Sequence, residues 1–123
     1  VLICDNESPL RALVRAAVSV DGYEIHEARD GDESLQLARE LEPDLIVLDM
    51  MMPGRTGLEV LVELRTEERF QETPVVMLTA RAQASDRIAA AEAGVSRFVA
   101  KPFSPLELGM IVKELLHGRN GSA

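Results

Sequence analysis

Four hydrophobic runs in this 123-residue chain each end in a polar residue of a different kind. Asp5 follows Val1-Leu2-Ile3-Cys4, Asp49 follows Leu45-Ile46-Val47-Leu48, Thr79 follows Val75-Val76-Met77-Leu78, and Lys101 follows Phe98-Val99-Ala100. Two carboxylates can hold a small hard cation, and a hydroxyl and an ammonium can bind the oxygens of an anion. Taken singly, each of these residues could merely end a strand and start a turn. Side chains at the carboxyl ends of parallel strands, however, converge on one edge of an open sheet, where such folds bind ligands. The question is therefore whether the strands are parallel.

The segments between them say that they are. Leu10, Leu13, Val14, Ala17 and Val18 fall on one face of a helix, as do Leu108, Ile111, Val112, Leu115 and Leu116. Residues 32–41 (Leu35, Leu37, Ala38, Leu41), 57–69 (Leu58, Leu61, Val62, Leu64) and 84–93 also read as helical. Strands alternating with helices imply βαβ crossovers and a parallel sheet. The runs at 1–4, 45–48 and 75–78 lack polar alternation, as central strands covered on both faces do. Glu24-Ile25-His26-Glu27-Ala28 alternates and carries charge, which suits one edge, and Phe98-Val99-Ala100 suits the other. The fold expected is an α/β, doubly wound (βα)5 domain with a central five-stranded parallel sheet of order 2-1-3-4-5, and Asp5 and Asp49 flank its switch point. Ser8-Pro9 reads as N-cap and first residue of the first helix.

Composition agrees with one domain having a single core, since 46% of the residues are hydrophobic. No stretch is long enough to span a bilayer and no signal-peptide pattern occurs, so a soluble, cytoplasmic protein without membrane contact is expected. The single cysteine excludes an internal disulfide, and Cys4 in a central strand reads as inert packing. A net charge of −8 argues against direct nucleic-acid binding by this domain. His117 to Ala123 reads as a helix stop, with Gly118 at the cap, followed by a linker or tail, giving a domain over 1–117 and a tail over 118–123. The chain begins inside a strand without an initiator Met, as a piece trimmed from something larger would.

Asp5-Asn6-Glu7, Asp49-Met50-Met51-Met52-Pro53-Gly54 with Gly57, Leu78-Thr79-Ala80 and Lys101-Pro102-Phe103 occur in that order at the expected strand ends. Together they resemble the receiver domain of two-component response regulators, a flavodoxin-like fold, over nearly the whole chain. The resemblance implies that a sensor histidine kinase or phosphotransfer protein donates a phosphoryl group to Asp49 and that the domain then changes its interaction surface. A carboxylate attacks a phosphoryl group only when the charge is neutralised. Mg2+ and Lys101 would do this, with Asp5, Asn6, Asp49 and the backbone carbonyl of Met51 as metal ligands. The resemblance further implies that Thr79 bonds a phosphoryl oxygen, that Ala80 leaves the group room, that Lys101-Pro102 is cis, and that Phe98 switches inward as Thr79 moves. Met51 and Arg81 match the positions that tune phosphate lifetime. On this reading the domain is a phosphoryl acceptor rather than an enzyme, with at most slow autodephosphorylation, and a C-terminal output domain belongs to the intact protein.

One position departs from the family pattern. Receivers usually carry two adjacent acids after the first strand, and here the second is Asn6, whose amide oxygen can coordinate but brings no charge. A natural variant that still phosphorylates, a pseudo-receiver signalling without phosphate, and an engineered change all fit. Retention of Asp5, Asp49, Thr79 and Lys101 together favours the first. A flavodoxin-like electron carrier would want a Ser-, Thr- and Gly-rich phosphate loop after the first strand, where Asp5-Asn6-Glu7 would repel phosphate. A phosphatase with its aspartyl nucleophile on the first strand would want a second carboxylate two residues on, which Glu7 supplies only loosely. The fourth helix, dominated by Ala84, Ala89, Ala90, Ala91 and Ala93 with Ile88 as its one large apolar residue, can bury little and is the expected moving part. Gly94-Val95-Ser96-Arg97-Phe98 lacks the paired acids common in receivers that dimerise through helix four, strand five and helix five.

Overall fold

Each apolar run without polar alternation becomes a strand walled by helices on both faces. The computed structural model describes residues 1–19, 22–80 and 83–121. Its strands are β1 (Leu2–Cys4), β2 (His26–Ala28), β3 (Ile46–Asp49), β4 (Val75–Thr79) and β5 (Arg97–Ala100). They alternate with α1 (Ser8–Val18), α2 (Gly31–Leu41), α3 (Gly57–Arg65), α4 (Ala84–Glu92) and α5 (Pro105–Gly121). All neighbouring strands are parallel, in the order β2-β1-β3-β4-β5 expected from the sequence.

Alternate strand residues point to opposite faces, which splits the core in two. Leu2, Cys4, Ile46, Leu48, Val75 and Met77 pack with Leu35 and Ala38 of α2 and Val60, Leu61 and Leu64 of α3. Ile3, Val47, Val76 and Leu78 pack with Val14 and Val18 of α1 and Leu108, Val112 and Leu116 of α5. Burying one such Leu, Ile or Val side chain is worth about 1.5–3 kcal/mol, so the central strands are fixed by many such contributions. α4 buries only Ala90, and Ile88 is 59% exposed, which fits the small apolar surface read from its alanines.

Five local expectations need correction. Glu7, not Ser8, occupies the cap of α1, with extended dihedrals and no side-chain cap bond, and Ser8 is already helical. α3 stops at Arg65 rather than near residue 69, because the Thr66 hydroxyl donates to the Glu63 carbonyl at 2.6 Å, and a single 3-10 turn at Glu68–Phe70 then buries Phe70. β2 starts at His26 rather than Glu24. Leu13, assigned to the apolar face of the first helix, is 40% exposed. Finally, α5 runs through Gly118 to Gly121, so Gly118 does not stop it; a helical glycine costs only about 1 kcal/mol relative to alanine.

Candidate functional site

Strand register alone brings the four strand-end residues together. Cys4 lies opposite Leu48, so Asp5 and Asp49 follow on adjacent strands. Asp49 lies opposite Leu78 and Thr79 opposite Ala100, so Thr79 and Lys101 each come one step further. Asp5, Asp49 and Thr79 are all buried. The Lys101 ammonium reaches between the carboxylates, 3.3 Å from Asp49 Oδ2 and 3.7 Å from Asp5 Oδ2. Its backbone N–H donates to the Thr79 carbonyl at 2.6 Å, tying the β5 end to the β4 end. The Lys101-Pro102 peptide is cis, as the sequence resemblance implied.

The two carboxylates differ in their partners. Asp5 Oδ1 accepts from the Glu7 N–H at 2.9 Å, whereas buried Asp5 Oδ2 accepts no hydrogen bond. Asp49 Oδ1 accepts from the Met51 N–H at 3.2 Å. Burial, and then the negative charge of Asp5, push the Asp49 carboxyl above its ordinary range, while the Met51 N–H and Lys101 oppose the rise. Two crowded buried carboxylates, one with an oxygen lacking a donor, form an all-oxygen set of the kind a hard cation satisfies. Asn6 is exposed beside them. Among the described residues no group of three or more Asp, Glu, His or Cys could hold a metal, and position 6 supplies an amide rather than a further carboxylate.

The remaining residues singled out from the sequence divide. Ala80 is exposed at the β4 end, and Met51, 54% exposed, flanks the site. Phe98 is half-buried on β5 against the α2–α3 core, with the Arg87 guanidinium 5.1 Å from its ring centroid. Arg81 lies outside the described residues. Cys4 is buried, and burial pushes its thiol up to about 12, consistent with an inert packing role.

Gly57, read from the sequence only as part of the motif after Asp49, has a structural role of its own. It is the first residue of α3 and is buried, and a Cβ there would sit 2.2 Å from the Asp49 carbonyl oxygen. Its N–H donates to the Met50 carbonyl at 2.9 Å. The signal was available: Thr56 and Glu59 form a capping box, and a poor helix former inside so good a helix start points to a close approach. Gly57→Ala should therefore lower stability by about 1–3 kcal/mol through overpacking against the β3 end. Urea unfolding tests this, and an unchanged midpoint would refute it.

A family model described as the response regulator receiver domain matches residues 1–113. The chain is 40% identical over 116 residues to the transcriptional regulatory protein ResD of Bacillus subtilis, covering 94% of this chain and 47% of that protein. It is 37% identical to the phosphate regulon transcriptional regulatory protein PhoB of Escherichia coli, covering 94% and 51%. The Francisella response regulator 1452 receiver domain superposes with a TM-score of 0.88 at 30% identity, covering 96% of each chain. The chain thus belongs to the receiver domains of two-component response regulators. It spans about half the length of the curated relatives it matches. No helix among the described residues is long and apolar enough to cross a membrane.

Proposed function

We propose that this domain accepts a phosphoryl group on Asp49 from a sensor histidine kinase or phosphotransfer protein and then alters its interaction surface. The observation that carries this reading is the Lys101 ammonium set between two buried carboxylates, 3.3 Å from the one proposed as nucleophile. An Asp49 oxygen attacks phosphorus; the new O–P bond forms as the donor's N–P bond breaks, and the electron pair returns to the imidazole nitrogen, which takes a proton. Lys101 neutralises charge on the incoming oxygens and Thr79 donates to one of them, because such transfers depend on positioning and electrostatics. Mg2+, for which Asp5, Asn6, Asp49 and the Met51 carbonyl are the ligands proposed, supplies further charge neutralisation when bound. Asp49 is a stoichiometric acceptor here, so the domain is not an enzyme beyond slow loss of its own phosphate. Weakly packed α4 and half-buried Phe98 are the parts that respond, and a C-terminal output domain of a cytoplasmic regulator reads the change.

The test is uptake of beryllofluoride, or of phosphate from acetyl phosphate, with and without Mg2+, followed by mass spectrometry. Mg2+-dependent uptake at Asp49 is expected. Its absence would favour a second reading, a pseudo-receiver that interacts without phosphate, which Asn6 and the missing third acidic ligand support.

Phosphate lifetime should be long. Hydrolysis needs a water in line with the leaving oxygen, and a polar or acidic neighbour can orient it. Met51 cannot, and Arg81 carries only donors that would pair with phosphoryl oxygens. A Met51→Asn, Arg81→Glu double variant should therefore dephosphorylate at least about tenfold faster once donor is removed. A variant no faster than wild type would show that these positions do not govern access of water.

A further inference from the structure

Asp5 is held at every polar atom but one. Its N–H donates to the Ala28 carbonyl at 3.0 Å and its Oδ1 accepts from Glu7. Its backbone carbonyl, just past the end of β1, accepts from Arg11 Nη1 at 2.7 Å. Arg11 is itself clamped, since its Nε donates to Glu27 Oε1 at 2.9 Å, and the other Glu27 oxygen accepts from Arg15 Nε at 2.8 Å. Only 12% of the Arg11 side chain is exposed. The planar guanidinium uses two edges in fixed directions, one on β2 and one on the Asp5 main chain, which a lysine ammonium could not reproduce. What remains of Asp5 is Oδ2, buried and without a donor, facing the site.

We infer that Arg11, held by Glu27, is a positioning residue for the metal site: it locks the Asp5 backbone so that Oδ2 is presented ready to coordinate. The inference rests on the proposed Mg2+ site. Preorganisation matters more here than in a receiver with two adjacent acids, because Asn6 brings no charge and the two carboxylates must carry the site. Residues that orient metal ligands typically change affinity 10–100-fold when replaced.

The sign of the effect separates this role from two others. If Arg11 acted only through its positive charge, its removal would strengthen cation binding; if it merely braced α1 against β2, removal would lower stability and leave Mg2+ affinity unchanged. Calorimetric Mg2+ titrations, run well below the melting temperature of each variant, decide among these. Arg11→Ala is expected to bind Mg2+ about tenfold more weakly than wild type, while Arg15→Ala, which removes the outer arm of the same clamp, stays within about twofold because Arg15 makes no bond to Asp5. Glu27→Gln keeps Arg11 in place but loosens its clamp, should weaken Mg2+ binding severalfold, and decides the matter should Arg11→Ala fail to fold. Wild-type affinity or tighter binding in Arg11→Ala, or wild-type affinity in Glu27→Gln, would overturn the role. A wild-type domain that binds no Mg2+ would instead overturn the proposed metal site, and this inference with it.

Discussion

Asp49→Asn is expected to abolish phosphoryl uptake completely while making the metal-free domain more stable at neutral pH. The first half follows from chemistry: an amide of nearly the same size keeps the acceptor bond from the Met51 N–H but cannot attack phosphorus. The second follows from the site's electrostatics. Burial and the charge of Asp5 raise the Asp49 carboxyl above its ordinary value of 3.8. A group whose folded value is raised holds its proton more tightly in the native than in the unfolded chain. Native stability therefore falls as pH rises from about 3.8 through that higher folded value, and above it the full penalty of the ionised form is present. Asparagine carries no such penalty. The variant's melting temperature should exceed that of wild type at neutral pH, and the gap should close as pH falls through the folded value. Label retained on the variant would move the phosphoacceptor elsewhere, and a gap that widened in acid would contradict the assignment of a destabilising ionised Asp49.

The same carboxylate shows what one sequence can and cannot reveal. Asp5, Asp49, Thr79 and Lys101 were legible because each follows an apolar run, buried in β1, β3 and β4 and partly buried in the edge strand β5, and strand register converts sequence position directly into spatial proximity. Helix faces were legible by period, though not their ends. The cap of α1 shifted to Glu7 because the Asp5 side chain takes the Glu7 N–H, a bond that depends on the path of the chain after β1. α3 ended early because a threonine hydroxyl competes with the helix ladder, an effect that helical periodicity does not register. Arg11 and Glu27 are sixteen residues apart and meet only because β2 pairs beside β1. No local pattern marks an arginine that will fold back onto a backbone carbonyl, so the support behind a site is harder to read than its reactive groups.

Asn6→Asp should move two properties in opposite directions, and that crossing is its signature. With no metal, a third carboxylate joins Asp5 and Asp49, whose mutual repulsion already contributes to the raised Asp49 value, so the metal-free variant should melt below wild type at neutral pH. With Mg2+, the extra ligand charge should tighten binding by about tenfold. A tenfold lower dissociation constant adds about 1.4 kcal/mol of ligand-induced stability at saturating metal, enough to bring the Mg2+-loaded variant level with or above wild type. Phosphorylation by acetyl phosphate should then reach half its maximum at correspondingly lower Mg2+. Thermal melts with and without Mg2+ read the crossing directly. Equal Mg2+ affinities would mean that position 6 does not ligate the metal, and the argument that its amide weakens the site would fail. A variant that takes up phosphate beside a wild type that does not would instead show that Asn6 switches the chemistry off, and that in this receiver the remaining acceptor residues are held in place without being used.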